Sequence, residues 1–332
     1  MNILITGVAG FIGFHLAKKV LDELPEAMII GLDNFNNYYD VGLKQSRLNI
    51  LNEHNNFVFI KGDLSDRQTV DSLFSNHNPN VVVNLAAQAG VRYSITNPQS
   101  YINSNLIGFF NILESCRTHM PEHLIYASSS SVYGLNEKIP YSTDDKTDSP
   151  VSLYAATKKS NELMAYSYAK LYDIKMTGLR FFTVYGEYGR PDMAYYSFTE
   201  KMVNNRPIQL FNNGDMRRDF TYIDDVIKAM VKIIEKGQIR KENGVSHKIY
   251  NIGNSKPENL LYFTDTLENA LLTEGLISKP AKRDFLPMQQ GDVYQTFADV
   301  IELEHDYGFK PETPLNEGLL RFAKWYKSYY EL

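Results

Sequence analysis

The chain has 332 residues, a formal net charge of −5, and hydrophobic and charged fractions of 43% and 22%. These values suit one large or two joined folded units and argue against a nucleic-acid partner. The only cysteine, Cys116, excludes an intrachain disulfide and a cysteine-rich zinc site, no run of about 18 apolar residues could span a membrane, and Met1 meets a glycine turn without a basic leader. The expectation is a cytoplasmic protein with no metal centre and no membrane partner.

The first half alternates short apolar runs with helical spacing. "NILIT" (residues 2–6) reads as a buried strand, Phe11 to Leu24 as a helix, and Ala27 to Asp33 and Asn56 to Leu64 as the second and third strands. "TVDSLFSNH" reads as a helix and Asn80 to Ala87 as the fourth strand. "NSNLIGFFNILESCRTH" reads as one long helix that buries Cys116, followed by a fifth strand from His123 to Ser130. "LYAATKKSNELMAYSYAKLYD" is a further helix, and Lys175 to Phe182 a sixth strand. This alternation predicts an α/β fold with a doubly wound parallel sheet of Rossmann type.

Beyond residue 182 the pattern shortens and glycine, proline and aromatic residues thicken. The chain is therefore read as a dinucleotide-binding domain over 1–182 and a smaller mixed α/β substrate domain over 183–332. "KIYNIGN" (248–254) is expected to return a strand to the main sheet.

"GVAGFIG" places Gly7, Gly10, Phe11, Ile12 and Gly13 between the first strand and its helix. Such a turn needs freedom in φ and no Cβ, so that a pyrophosphate can approach the backbone and the helix N-terminus. Asp33 ends the second strand 20 residues after Gly13, beside Asn34. Its carboxylate suits ribose hydroxyls and repels a 2′-phosphate, which points to NAD over NADP. Tight packing without a ligand is the plain alternative.

Tyr154 and Lys158 in "YAATK" share one helix face at a spacing of four. A nearby ammonium and a cationic nicotinamide would lower the tyrosine pKa, making Tyr154 a general base for an alcohol proton. Lys158 would also hold the nicotinamide ribose. A bare surface pair is the plain alternative.

With the glycine turn, these residues resemble the short-chain dehydrogenase/reductase superfamily. The resemblance places Asp63 and Leu64 beside the adenine, Ala86 and Ala87 under the cofactor, and Asn105 at a sheet–helix junction. "LRFFTVYG" (179–186) and "RRDFTYIDDV" (217–226) extend it to the nucleotide-sugar members over nearly the whole chain. They put Phe181 at the cofactor and Arg218 on the diphosphate, unless Arg218 is only a surface arginine paired to Asp219 or Asp215. Gln209 and Phe211 in "QLFNNGD" would lie along the uridine.

The run "SSSS" before "VYG" discriminates within that family. Its dehydratases and decarboxylases carry acids where this chain has Ser130 and Ser131. Ser129 takes the place of the catalytic hydroxyl. The resemblance therefore implies oxidation and reduction at C4 without elimination, an NAD-dependent isomerase passing through a 4-keto sugar. "YGRPDMAYYSF", "DNFNNYYDVGLK" and "AAQAGVRYS" are similar to the UDP-glucuronate 4-epimerases.

In that resemblance Arg190, Thr183 and the serine hydroxyls meet the sugar carboxylate, though Arg190 could be a plain loop residue. Arg92 is a second cation near sugar or diphosphate. The chain departs at Asn84, where relatives often have histidine, and at Gln290, where they have proline; an arginine that neutral-hexose epimerases carry near Gln289 is missing. Other readings are a UDP-glucose or UDP-N-acetylglucosamine 4-epimerase, a dehydratase or decarboxylase, and a non-catalytic NAD-binding protein. The family also implies a homodimer through two long helices, near 101–119 and 152–171.

Overall fold

The computed structural model describes residues 1–332 except 240, 242 and 289–292, so Gln289 and Gln290 lie outside the described residues. Runs of Ile, Val and Leu form strands because branched side chains pack well on a pleated surface buried on both faces. The first half gives β1 (Asn2–Thr6), α1 (Phe11–Glu23), β2 (Met28–Asp33), α2 (Val41–Leu51), β3 (Phe57–Lys61), α3 (Arg67–His77) and β4 (Val81–Asn84). Two single turns follow, α4 (Tyr93–Thr96) and α5 (Pro98–Tyr101), then a π-helical stretch (Ile102–Ile107). After it come α6 (Gly108–His119), β5 (His123–Ser129), α7 (Leu153–Tyr172) and β6 (Met176–Phe181). The second half gives β7 (Thr183–Tyr185), α8 (Ala194–Val203), β8 (Ile208–Leu210), β9 (Arg217–Tyr222), α9 (Ile223–Lys236) and β10 (His247–Ile252). It ends with β11 (Pro257–Asn259), α10 (Leu260–Thr273), β12 (Arg283–Phe285), α11 (Ile301–Tyr307) and α12 (Leu315–Tyr329).

Among the described residues, seven strands form one parallel sheet in the order β10-β6-β5-β4-β1-β2-β3. Alternate residues of each strand feed opposite cores, as a period of two requires. Ile3, Ile5, Val81, Val83 and Ile125 join the core under α1 and α9. Leu4, Val82, Leu124 and Tyr126 join the core under α3, α6 and α7. The smaller units are a three-stranded sheet, β11-β9-β7, and a β12-β8 pair. No helix among the described residues is long and apolar enough to cross a membrane.

Three local features differ from the sequence expectation, and α2 falls in a stretch for which the sequence reading gave no element. Helix α2 has no clean apolar stripe, because Lys44 and Arg47 turn inward beside Leu43, Leu48 and Leu51. The fourth strand stops at Asn84, whose Oδ1 accepts a hydrogen bond from Thr6 Oγ1 at 2.7 Å. The long helix read from residue 103 begins as a π-helix; the Asn105 carbonyl accepts from Asn161 Nδ2 at 2.7 Å, a side chain inserted into the helical ladder. The sixth strand ends at Phe181, and the chain changes sheets there: β6 pairs with β5 and β10, whereas β7 pairs with β9.

Candidate active site

The strand order reverses between β1 and β4, and the crevice at the carboxyl ends of such strands is where an open α/β sheet binds ligands. A cleft of about 780 Å³ opens there, lined by β1, β2, β4 and β5 ends on one side and by the segments at 181–201 and 209–220 on the other.

The cofactor end is built from backbone. Gly7 has φ of +71°, and a Cβ there would lie 2.8 Å from the Ala86 nitrogen. A Cβ at Gly13 would lie 2.2 Å from the Gly7 carbonyl oxygen, so only glycine lets α1 start this close to the turn. Gly10 caps α1 without any side-chain hydrogen bond, and Phe11, Ile12 and Gly13 line the cleft. The open N–H groups of that first turn fit a pyrophosphate. Asp33 accepts from Ala9 N at 3.2 Å and Phe35 N at 2.9 Å, which aims its carboxylate along the cleft wall. Asn34 Nδ2 donates to Asp63 at 2.7 Å. Burial works against charge on Asp63, but the bonds from Asn34 and Ser65 outweigh it and hold the carboxyl below its usual range. This donor and acceptor set fits a dinucleotide.

The candidate proton site sits where α7 crosses the end of β5. Ser152 caps α7, accepting from Ala155 N at 3.1 Å, and this starts the helix at Leu153, one residue before Tyr154. Ser129 ends β5, and its hydroxyl accepts from Ser131 N at 3.2 Å and donates to Ser131 Oγ at 3.1 Å. Burial pushes the Tyr154 phenol above its ordinary value; hydrogen bonding to Ser129 and the Arg190 charge pull the other way. The sequence led us to expect a value lowered by a nearby ammonium together with the cationic nicotinamide. Among the protein's own groups burial dominates, and the cation that acts on the phenol is Arg190. Burial also lowers Lys158 to about 8, while its Nζ donates to the Ala127 carbonyl at 2.9 Å.

Across the cleft, Ser130, Ser131, Thr183 and Arg190 face the same space as Tyr154. Arg190 donates to Asp192 from Nε at 3.0 Å and from Nη2 at 2.5 Å. Burial works against this cation, but Asp192 outweighs it and holds the Arg190 pKa above its ordinary value. Arg92 stacks over Phe211 at 5.0 Å, so the two halves of the chain touch through two of the sequence-derived site residues. Arg218 Nη1 donates to the Tyr294 carbonyl at 3.1 Å. The Asp219 carboxylate accepts from the backbone N–H groups of Asn254, Ser255 and Ala298, at 2.6, 3.0 and 3.0 Å.

The fold brings Gly7, Asp33, Asp63, Leu64, Ala86, Ala87, Arg92, Ser129, Tyr154, Lys158, Phe181, Gln209 and Arg218 to this one cleft. Asn105 is not among the lining residues; its Oδ1 accepts from Gln88 N at 2.8 Å, so it shapes the loop after β4. Sequence reasoning missed Tyr38, Lys44, Gln88 and Asp192, which also line it. Asp192, two residues after an arginine already singled out, was within reach of a local charge argument.

Comparison with known proteins gives the family. The model of the NAD dependent epimerase/dehydratase family matches residues 3–253. A probable UDP-glucuronate 4-epimerase of Rhizobium meliloti is 45% identical over 99% of this chain and 98% of its own length. Protein CapI of Staphylococcus aureus is 48% identical over the full length of both. The structure of UDP-glucuronic acid 4-epimerase from Bacillus cereus, in complex with UDP-glucuronic acid and NAD, superposes with a TM-score of 0.89 at 33% identity, covering 99% of this chain and 100% of that one. Glycine turn, Asp33, serine run and Tyr154–Lys158 pair thus share one cleft in a chain matched along its length, and the protein belongs to the NAD-dependent epimerase/dehydratase family.

Proposed function

We propose that the protein interconverts UDP-glucuronate and UDP-galacturonate by epimerisation at C4 through a transient 4-keto sugar. The observation that carries this is a proton site, Ser129, Tyr154 and Lys158, whose neighbouring positions in the cleft are the hydroxyls of Ser130 and Ser131 in place of carboxylates. Such a site moves a proton but has no acid to expel a leaving group. The full-length relatives named for UDP-glucuronate support the sugar.

Bound NAD supplies reversible removal and return of hydride at the sugar C4. Gly7, Gly10, Phe11, Ile12 and Gly13 would hold its pyrophosphate and Asp33 with Asn34 its adenosine ribose. Asp63 and Leu64 would flank the adenine. Ala86, Ala87, Phe181 and Lys158 would line the nicotinamide end, with Asn105 acting through Gln88. Tyr154 takes the C4 hydroxyl proton and returns it, with Ser129 bridging the two oxygens. The Arg190 charge favours the phenolate. A 4-keto uronate is a β-keto acid and loses CO2 when its carboxylate is poorly solvated. Ser130, Ser131, Thr183 and Arg190 keep that carboxylate in polar contact. Arg218 and Arg92 meet the diphosphate, and Gln209 and Phe211 the uridine.

In this reading residues 1–182, with the returning strand near 248–254, form the NAD half and 183–332 the UDP-sugar half. A homodimer through α6 and α7 is supported by the exposed Ile107, Phe110, Leu163 and Tyr166, apolar area that a four-helix bundle would cover. A cytoplasmic site of action accords with the free, buried thiol of Cys116.

One observation favours a neutral UDP-hexose instead: Arg190 already holds a carboxylate, that of Asp192. The test is incubation of the pure protein with UDP-glucuronate, UDP-glucose and UDP-N-acetylglucosamine without added NAD, with products resolved by NMR. Formation of UDP-galacturonate supports the proposal. Conversion of the neutral sugars alone transfers the assignment to them, and a decarboxylated pentose product overturns it.

A further inference from the structure

Arg190 and Asp192 stand in the cleft as a closed pair. The guanidinium presents Nε and Nη2 side-on to the carboxylate, and Tyr38 Oη donates to the same carboxylate at 3.1 Å. The Arg190 guanidinium also lies 6.0 Å from the centre of the Tyr38 ring. Tyr38 follows β2, whereas Arg190 and Asp192 follow β7, so the trio bridges the two sides of the cleft that all three line. Arg190 and Asp192 keep 22% and 30% of their side-chain surface, enough for a ligand to reach them.

We propose that Asp192 sets the preference between carboxylate-bearing and neutral UDP-sugars by occupying Arg190 as an internal counter-charge; this rests on the epimerase reading above. A sugar carboxylate entering here must displace or share that fork, and it meets the negative charge of Asp192 on approach. A neutral C6 hydroxymethyl group pays neither penalty. The pair therefore holds carboxylate affinity below what an unopposed arginine would give, and it leaves more of the work to the serine and threonine hydroxyls.

The same pair reaches the proton site. The groups that face the Tyr154 phenol are Ser129 from β5, Arg190, and the Tyr101 ring at 6.0 Å, with Asp192 and Tyr38 behind Arg190; Lys158, one turn along α7, donates to the Ala127 carbonyl. Asp192 offsets part of the Arg190 field at that phenol. Neutralising Asp192 leaves the Arg190 charge less opposed and favours the phenolate.

The test uses Asp192→Asn in a Tyr154→Phe background, so that binding is read without turnover, with UDP, UDP-glucose and UDP-glucuronate as calorimetric probes. UDP-glucuronate is expected to tighten about tenfold while UDP and UDP-glucose stay within about twofold. Asp192→Glu, which keeps the charge, restores the original ratio. With Tyr154 intact, the acid limb of kcat for Asp192→Asn moves to lower pH. Equal changes for all three ligands, an unchanged ratio, or a loss confined to UDP-glucuronate would overturn the proposal. Failure of the epimerase reading shows separately, as absence of UDP-glucuronate conversion by the unaltered protein.

Discussion

Glu162 and Arg180 are joined by two hydrogen bonds, from Nε to Oε1 at 2.8 Å and from Nη2 to Oε2 at 2.9 Å, with both side chains 2% exposed. Glu162 lies two turns after Tyr154 on α7, and its Oε1 also accepts from Ser128 Oγ at 2.7 Å. The Arg180 guanidinium sits 4.8 Å over the Tyr133 ring, whose hydroxyl donates to Asn251 at 2.7 Å. One buried network thus ties α7 to β5, β6 and β10 directly behind the serines, and it fixes where Tyr154 stands relative to Ser129.

Removing one partner of a buried pair leaves the other charge uncompensated. Glu162→Gln is expected to lower unfolding free energy by about 3 kcal/mol, read as a shift in the urea midpoint. The double variant Glu162→Leu with Arg180→Met recovers most of that loss, because it removes both buried charges. Turnover stays impaired in the double variant, which leaves the Ser128 hydroxyl without its acceptor, whereas Glu162→Gln keeps an amide oxygen to accept it.

In the proposed mechanism Tyr154→Phe removes the proton acceptor and keeps the ring. Turnover is expected to fall by about 10³-fold, with the affinity for UDP unchanged. Ser129→Ala keeps the acceptor and loses only the bridge, so its loss should be smaller, about tenfold to 10²-fold. A larger effect of Ser129 than of Tyr154, measured as kcat on UDP-glucuronate, would reverse the roles given to them.

Lys158 is lowered to about 8 by burial, so its ammonium is lost as pH rises through that value. Turnover should therefore decline on the alkaline side of pH about 8, although the Tyr154 phenol itself ionises more readily there. Lys158→Arg keeps the charge over the whole range. It should turn over more slowly but lose the alkaline decline, which a pH profile of kcat will show.

His123 and His247 are buried and both lowered to about 4, in each case chiefly by burial. A folded-state pKa below the unfolded value means that the unfolded chain binds more protons. The stabilisation is complete above the unfolded pKa, about 6.5, and is lost as pH falls towards 4. Each histidine should contribute a loss of about 2 kcal/mol by pH 5. Urea midpoints at pH 7 and pH 5 test this, and His247→Gln should reduce the difference by its own share, about 2 kcal/mol.

In the proposed reading Asp33 carries the cofactor choice. Asp33→Ala is expected to weaken NAD binding by about tenfold and to narrow the gap to NADP, measured by calorimetry. An unchanged NAD affinity would remove Asp33 from the ribose.

Period, spacing and local chemistry are properties of neighbours in the chain, and the sequence carried them directly. The parallel sheet follows from apolar runs alternating with helical spacing. Gly7, Gly10 and Gly13, and the pair Tyr154 and Lys158, are legible because a turn and one helix face are each set within a few residues. The inward turn of Lys44 and Arg47, the π-helix around Asn105 and the change of sheet after Phe181 were not legible, since each answers to a partner far along the chain. Arg47 shows why: its guanidinium donates to the carbonyls of Ala9, Tyr188 and Gly189, at 2.7, 2.6 and 3.1 Å, atoms that are close only after folding. The charge state of the site was decided in the same way. The sequence named Tyr154, Lys158 and Arg190. Only the tertiary structure put burial above attraction at the phenol and set Asp192 and Tyr38 against Arg190, because desolvation and Coulomb energy depend on distance in space and not on separation along the chain.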